Sequence, residues 1–568
     1  MKSKVAVHTI ITIVAILMFL PFLSASHLFD WDEINFAESA REMIVSGNYH
    51  QVQIGFEPFW EKPPLFIWMQ VFCMKIFGIN EFSARLPNAI FGIITLNFLY
   101  YLGCKIRNHF TGIFWVLAYG ASLAPAIYYR SGIIDPVFNL FIFLAIYQLF
   151  SAESDAVSKL NPRKAMLFCG IFFGLAVLTK GPVALLIGGV VWLVRFMQNP
   201  KYVWNGIYNF LIALFGFLAI ISLWVIPELL RSGTWFFTEF YQYQILLAKG
   251  QMEWHNQPWF YHILVLLFLC FPASVFAIPQ LFRADDSSGD EKLWSTYMRI
   301  LFWVVLVIFS LVTTKIIHYS SLCWFPLGWF AGNMLYKLHT NRTRISGWLM
   351  FPFALVVVIL GIVFVLIPIL FVQPALNQFF TQNVKDVFAN AIISNPDGWQ
   401  GWEYIPGVLF LVSSFIWLLY FRKAHAHWPF TITAIFGILF SGILIPRIDN
   451  SLQGKYLNEI VSQKGKDIYI ESWGFKTYAI LFYAQVGPNK FKGPWQQDSM
   501  DLKEFEAPGR QARLVWMMDK KMDKPIFIYT KCDFNPDYYF KEKFKLHRDL
   551  GAYLLWERKN PSKPDIRM

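Results

Sequence analysis

Residues 345–371 read ISGWLMFPFALVVVILGIVFVLIPILF, and this stretch decides the fold class. Its 27 residues carry no charged side chain. About 20 apolar residues in a helix are enough to cross the hydrocarbon core of a membrane. Similar apolar runs recur from the N-terminus to about residue 446. The pattern predicts a helical membrane protein with many spans.

The composition supports the same conclusion. Of the 568 residues, 56% are hydrophobic, 19% are aromatic and 15% are charged, whereas soluble proteins contain roughly 25% charged residues. Soluble, fibrous and disordered classes are therefore excluded. The net charge of +12 does not indicate nucleic-acid binding, because the Lys and Arg residues lie mainly in short loops between apolar runs. Such cations set membrane topology.

The apolar runs predict an all-α membrane domain of about 13 spans over residues 1–446. The first run, 5–23, is interpreted as an uncleaved span, with a signal peptide as the alternative. The run Pro63 to Gly78 is interpreted as an interfacial helix, because counting it as a span would turn most loop cations outward. The other spans fall near 86–104, 111–129, 136–151, 165–179, 182–196, 206–228, 259–281, 298–314, 320–336, 345–371, 404–421 and 428–446.

Residues 447–568 are more polar and predict a small α/β domain outside the membrane. Three short runs rich in β-branched and aromatic residues, 467–471, 525–529 and 552–556, are bounded by turn residues and predict strands. A helix-like stretch at 476–485 lies between the first two.

The first outer loop, residues 24–85, is dense in acidic, basic and aromatic side chains. Asp32 and Glu33 stand at the predicted start of a helix, where either could act as a general base or simply cap the helix. Lys62 precedes Pro63-Pro64 and could meet a phosphate or extend to the lipid headgroups. An ordinary solvated loop remains the alternative.

Further candidates lie in other outward segments. Arg130 and Asp135 bracket a short loop, Lys180 lies between two spans, and Lys315, His318 and Tyr319 follow a span. Ionisable groups at membrane depth are functional candidates by default, although a lone one is often an anchor. His255 could be a base or a metal ligand, but no partner at ligand spacing lies nearby, so no metal site is predicted.

Several short motifs occur in the order found in one family of membrane glycosyltransferases. The chain resembles the aminoarabinose lipid A transferase and protein mannosyltransferase group, which has the GT-C architecture. The matching motifs are Asp32-Glu33, Ala37-Glu38, Ala40-Arg-Glu-Met43, Glu61-Lys-Pro-Pro-Leu65, Trp68, Phe77-Gly78, Glu81-Phe82, Arg85-Leu-Pro87, Asp135-Pro136, Thr179-Lys-Gly-Pro182, Gln257-Pro-Trp259, Lys315, His318-Tyr319 and Phe482-Tyr483.

The resemblance implies a transferase that takes a sugar from a polyprenyl-phosphate carrier at the outer face of a bacterial inner membrane, with inversion at the anomeric carbon. Asp32, Asp135 and Glu33 are then the catalytic candidates. Two further groups of residues are expected to bind the donor phosphate or to line the substrate loop: Lys62, Arg85, Lys180, Lys315, His318 and Tyr319 for the phosphate, and Trp60, His255 and Trp259 for the loop.

The resemblance does not fix the substrates. The donor sugar could be 4-amino-4-deoxy-L-arabinose or a hexose, and the acceptor could be lipid A, another glycolipid or glycan, or a protein. Asn35 stands where the family often has an arginine, and residues 233–258 contain Lys249 as their one cation. No cofactor is certain, although a divalent metal is possible, and a monomer is expected. The alternative function is a transporter of a lipid-linked sugar, with a scaffold or sensor behind it.

Overall fold

A computed structural model of the chain describes residues 2–154, 161–199, 206–249, 257–283, 287–422, 425–487, 513–514, 517–518 and 524–559. Most of these residues are helical, and one small sheet lies near the C-terminus. The helices before the sheet are α1 (Lys2–Phe19), α2 (Asp32–Ser46), α3 (Leu65–Phe77), α4 (Glu81–Ile106), α5 (His109–Gly120), α6 (Leu123–Tyr128), α7 (Asp135–Glu153), α8 (Pro162–Lys180), α9 (Val183–Gln198), α10 (Gly206–Ser232), α11 (Trp235–Lys249), α12 (Tyr261–Leu269), α13 (Ala273–Phe282), α14 (Gly289–Leu311), α15 (Trp324–His339), α16 (Gly347–Val372), α17 (Pro374–Asn383), α18 (Val387–Ile393) and α19 (Ile405–Ile416).

The chain is a multi-pass membrane protein. Among the described residues, seven helices are long and apolar enough to cross a membrane, and a bent helix pair makes an eighth if it counts as one span. Several other predicted spans form shorter apolar helices, such as Lys4–Phe19, Val183–Gln198 and Ile405–Tyr420. The helix predicted after Pro63-Pro64 is present as α3.

One predicted span is not a straight helix. The run 259–281 forms α12 and α13, whose axes differ by 119°. Pro272 lies at the break, where its missing N–H removes one hydrogen bond of the helix and its ring clashes with the preceding turn. The span predicted at 259–281 is therefore a bent helix pair and not a straight helix.

The last helical stretch runs past the predicted domain boundary at residue 446. It continues from Trp428 to Ser462 and contains two π-helical segments, Phe440–Leu444 and Asn450–Gly454. A further π-helical segment, Trp417–Phe421, follows α19. The α-helical segments of the stretch from Trp428 to Ser462 are α20 (Trp428–Leu439), α21 (Ile445–Asp449) and α22 (Lys455–Ser462).

A two-stranded ribbon in the first loop pairs β1 (Gln53–Ile54) with β2 (Glu57–Pro58).

The C-terminal domain contains one four-stranded sheet and two short helices. Its elements are β3 (Tyr469–Ser472), α23 (Ala479–Ala484), β4 (Ile526–Lys531), α24 (Tyr538–Lys543), β5 (Phe544–Asp549) and β6 (Tyr553–Arg558). The strands lie in the order β3-β4-β6-β5. The predicted strands correspond to β3, β4 and β6, and the predicted helix corresponds to the shorter α23. The strand β5 was missed because most of its side chains are exposed, which leaves no apolar run to detect.

The first loop (residues 24–85) packs directly on the C-terminal sheet and its helices. Apolar residues of α2, such as Ile34 and Met43, share one buried cluster with Ile480 of α23 and Leu555 of β6. The Leu28 backbone N–H also donates to the Tyr483 hydroxyl at 2.7 Å. The position of α2 is therefore fixed by residues more than 400 positions away in the chain.

The polar face of α2 is buried as well. Arg41 donates from Nε and Nη2 to Glu38 at 2.7 and 2.6 Å, and from Nη2 to the Val486 carbonyl at 2.9 Å. Glu42 accepts from the backbone N–H groups of Gly55 and Phe56, both at 2.6 Å. Buried polar and charged groups need partners of this kind, and burial together with the neighbouring Glu38 raises the pKa of the Glu42 carboxyl. These contacts hold α2 against the rest of the first loop and against Val486.

Candidate active site

The helix α2 begins at Asp32, as the sequence predicts, and its N-terminus faces the candidate site. Trp31 occupies the N-cap position and makes no side-chain capping bond, so neither Asp32 nor Glu33 is the N-cap residue. The Asp32 side chain is 31% exposed. A carboxylate in the first turn is favoured by the helix dipole, and this one remains accessible to a substrate.

Glu33 points away from Asp32 and forms a buried ion pair with Arg85. The Arg85 Nε and Nη2 atoms donate to the two Glu33 oxygens at 3.0 and 2.9 Å. The remaining Arg85 donors reach the carbonyls of Leu23, Ser26 and His27. Glu33 also accepts from the Phe29 and Gly132 backbone N–H groups. These contacts leave both residues fully engaged within the protein, so we place them outside the site and attribute to them the positioning of the first loop.

Asp135 and Lys180 form the second half of the site. Asp135 is the first residue of α7 and Lys180 the last residue of α8, and these consecutive helices pack against each other. An acid at a helix N-terminus and a base at a C-terminus both complement the helix dipole. The Lys180 Nζ lies 2.5 Å from Asp135 Oδ1. Asp135 is only 3% exposed, and its Oδ2 has no hydrogen-bond partner among the described residues.

His318 joins the two carboxylates. It lies in the 3₁₀ helix Ile317–Cys323, and its Nε2 is 3.9 Å from Asp32 Oδ2 and 3.7 Å from Asp135 Oδ2. Burial lowers the pKa of His318, and the positive charges of Lys180 and Lys62 lower it further against the two opposing acids. The ring is therefore mostly neutral at pH 7.

Tyr319 lies next to His318 and under the Lys180 ammonium, whose Nζ is 5.2 Å from the ring centroid. Burial raises the pKa of the Tyr319 hydroxyl, which keeps it protonated as a hydrogen-bond donor. A cation and a phenol at this position suit an anionic oxygen.

Lys62 borders the same cluster from the start of α3. Its Nζ lies 5.5 Å from the Tyr243 ring, and the Tyr243 hydroxyl donates to Glu61 Oε2 at 3.3 Å. Trp60 packs edge-on against Trp235 of α11, with 5.4 Å between the ring centroids, so it contacts the same helix as Lys62. The tyrosine comes from α11, which lies in the loop where the sequence shows few cations.

Two other candidates do not join the cluster in the described part of the chain. The buried Lys315 donates to the Val312 carbonyl at 2.7 Å, and Trp259 is 68% exposed. His255 lies outside the described residues. Within those residues, three or more His, Cys, Asp or Glu side chains nowhere converge in a way that could hold a metal ion.

The sequence did not reveal that the C-terminal domain reaches the site. The Lys476 Nζ lies 5.2 Å from the Trp31 ring, and Tyr478 packs against the same ring at 6.1 Å. Asp30 interacts with the Thr477 side chain, and burial raises the pKa of the Asp30 carboxyl to about 6. The segment 476–478 therefore flanks Asp32 through its two neighbours.

We expect Asp30→Asn to stabilise the protein at pH 8. The ordinary pKa of this carboxyl is 3.8 and its folded value is about 6, so the folded state binds the proton more tightly and wild-type stability falls as pH rises between those values. A shift of this size corresponds to at most about 3 kcal/mol. Unfolding midpoints measured at pH 4 and pH 8 in detergent should show a gain at pH 8 that is largely absent at pH 4. An equal effect at both pH values contradicts the prediction.

Comparison with known proteins agrees with the resemblance that the sequence motifs indicate. The family described as "Dolichyl-phosphate-mannose-protein mannosyltransferase" matches residues 61–226. The chain is 27% identical over 319 residues to an undecaprenyl phosphate-alpha-4-amino-4-deoxy-L-arabinose arabinosyl transferase of Proteus mirabilis, covering 54% of this chain and 55% of that protein. A Pseudomonas fluorescens enzyme of the same name is 25% identical, covering 58% of each. The chain thus matches little more than half the length of these relatives.

The fold extends the similarity over nearly the whole chain. The crystal structure of ArnT from Cupriavidus metallidurans bound to undecaprenyl phosphate matches with a TM-score of 0.73 at 17% identity, covering 97% of both chains. Its apo structure matches with a TM-score of 0.71. At this identity the similarity shows a shared fold. The resemblance indicated by the sequence motifs is confirmed, because the family model, the sequence relatives and the fold all point to the aminoarabinose transferase and protein mannosyltransferase-like group.

Proposed function

We propose that this protein is an inverting glycosyltransferase that moves a sugar from a polyprenyl-phosphate carrier to a lipid, glycan or protein acceptor. The observation that carries the proposal is the arrangement of Asp32, Asp135 and Lys180 around His318. The names of the sequence relatives, and the undecaprenyl phosphate bound to the protein of similar fold, support this chemistry. They do not favour the transporter alternative.

The proposed roles follow from charge and exposure. Asp32 is the more exposed carboxylate and acts as general base toward the acceptor hydroxyl. Lys180 and Lys62 stabilise the negative charge that develops on the leaving phosphate, and the Tyr319 hydroxyl donates to the same group. Asp135 positions Lys180 through their ion pair. One base and a good leaving group are enough for single displacement, so no covalent sugar intermediate is required.

The proposed orientation follows the charge pattern of the sequence. With about 13 spans and an interfacial α3, the positive-inside rule favours an orientation in which the first loop, the site and residues 447–568 face the outside of a bacterial inner membrane. The aminoarabinose sugar is the leading donor, because the sequence relatives are named for it. Lipid A is the leading acceptor, because the sequence motifs resemble those of the aminoarabinose lipid A transferases. The active unit is proposed to be a monomer.

Mass spectrometry of envelope glycolipids and glycoproteins tests the proposal. Cells lacking the protein should lose one sugar from one glycan, and the wild-type gene should restore it. The same cells should accumulate the carrier-linked sugar at the outer face of the membrane. Unchanged glycans together with a redistribution of the carrier-linked sugar between the two leaflets would contradict transfer and support transport.

A further inference from the structure

Arg130 is a buried cation whose Nε and Nη2 edge lacks a hydrogen-bond partner among the described residues. It lies between α6 and α7, two residues after Tyr128 and five before Asp135, and it is only 7% exposed. Its Nη1 donates to the Gly437 carbonyl of α20 at 3.3 Å. Its Nε and Nη2 atoms are buried and have no hydrogen-bond partner in the described part of the chain.

Three other arginines of this protein show what that edge normally binds. Arg41, Arg85 and Arg195 each donate from Nε and Nη2 to the two oxygens of one glutamate. The Nε and Nη2 donors point in parallel and match an anion with two oxygens. Arg130 presents the same pair of donors without a carboxylate.

Glu33 contacts the same loop as Arg130 but is already engaged by other donors. Glu33 accepts from the Gly132 backbone N–H, two residues after Arg130, but its two oxygens are engaged by Arg85 and by backbone N–H groups. Burial lowers the pKa of Arg130 only to about 10, so the guanidinium stays charged at neutral pH. A buried charge without a counter-ion is strongly unfavourable.

The partner helix is irregular at this contact. Gly437 lies just before the π-helical segment Phe440–Leu444, and its carbonyl also accepts from the Ser441 hydroxyl at 2.8 Å. Short π-helical segments inside α-helices occur frequently at functional sites. Gly437 has no side chain, and a Cβ at this position would lie only 3.3 Å from the Ala126 Cβ, so α20 and α6 approach each other closely beside Arg130.

We propose that Arg130 forms an anion-binding site that takes a phosphate group through its Nε and Nη2 atoms. The proposed site uses a different cation from Lys62 and Lys180, to which the proposed function assigns the leaving phosphate. The source of the phosphate is either a lipid headgroup or a small free anion. The proposal concerns binding alone and holds or fails independently of sugar transfer.

The test compares Arg130→Met and Arg130→Lys with wild type and with Arg344→Met, which removes an exposed cation elsewhere. Each full-length protein is purified, and its thermal unfolding midpoint is measured with inorganic phosphate in micelles. A second arm uses phosphatidylcholine nanodiscs in which roughly one lipid in five is phosphatidic acid, compared with nanodiscs of phosphatidylcholine alone. Wild type and Arg344→Met should rise in midpoint with at least one probe, and Arg130→Met should lose that response. From the midpoint titrations, Arg130→Lys should bind roughly tenfold more weakly, because an ammonium lacks the paired donors.

The Arg130→Met protein without any probe separates binding from a structural role. An arginine that only caps α20 should leave a destabilised variant that still responds to phosphate. An anion site should leave a variant at least as stable as wild type, because a buried unpaired charge has been removed. A response that inorganic phosphate alone produces assigns a small-anion site. A response that requires phosphatidic acid assigns a lipid site. An Arg130→Met response equal in size to that of wild type, or a wild type that responds to neither probe, overturns the proposal.

Discussion

Asp32→Asn should lower the rate of sugar transfer by about 10²- to 10⁴-fold, the range that general-base catalysis contributes. The amide keeps the size and hydrogen-bonding shape of the side chain but cannot take the acceptor proton. Asp32 is partly exposed and makes no close ion pair among the described residues, since His318 Nε2 is 3.9 Å away. Removing its charge should therefore leave the fold and the binding of the carrier phosphate largely unchanged.

The measurement is the initial rate with a purified carrier-linked sugar in nanodiscs. Asp30→Asn is the matched control, because it makes the same change two residues earlier, at a carboxyl that faces Thr477 rather than His318. The control should retain transfer while Asp32→Asn loses it. A variant that keeps more than about a tenth of the wild-type rate has lost less than the smallest contribution expected of a general base. In that case another group accepts the proton.

Local sequence patterns predicted the elements that carry the site. The acidic pair before an apolar stripe predicted a helix beginning at Asp32, and Asp135-Pro136 marked the start of α7. A proline is well tolerated in the first turn, because its missing N–H has no partner there. Local signals of this kind act within one helical turn, so they can be detected without knowledge of the tertiary fold.

The partners of these residues could not be predicted in the same way. Glu33 follows Asp32 directly, but a step of one residue turns a helix by about 100°, and this directs Glu33 to Arg85 instead of His318. Which face of α2 meets the site depends on its packing against α23 and β6, far along the chain. The pairing of Asp30 with the segment 476–478 depends on the same long-range packing.

The ion pair between Asp135 and Lys180 gives the second large effect. Removing one partner of a buried pair leaves an uncompensated charge and typically lowers the free energy of unfolding by about 3–5 kcal/mol. Asp135 is 3% exposed, and the Lys180 Nζ is its 2.5 Å partner. Both Lys180→Met and Asp135→Asn should therefore be strongly destabilised, and both should lose sugar transfer.

The double variant Lys180→Met/Asp135→Asn separates stability from function. It removes both charges, so it should recover most of the lost unfolding free energy, as replaced buried pairs often do. It should remain inactive, because the ammonium that faces the leaving phosphate is gone. Denaturant titrations in micelles and the transfer assay measure the two effects on the same samples.

The exposed cross-strand pair Lys545–Glu557 provides the control cycle. Its atoms are 3.1 Å apart, but the lysine side chain is more than half exposed, and such pairs contribute at most about 1 kcal/mol. Single neutral substitutions there should change neither stability nor transfer appreciably. If the Asp135 and Lys180 variants behave like this surface pair, the buried ion pair does not organise the site. If the double variant regains transfer along with stability, Lys180 has no direct role toward the phosphate, and the pair serves only the packing of α7 on α8.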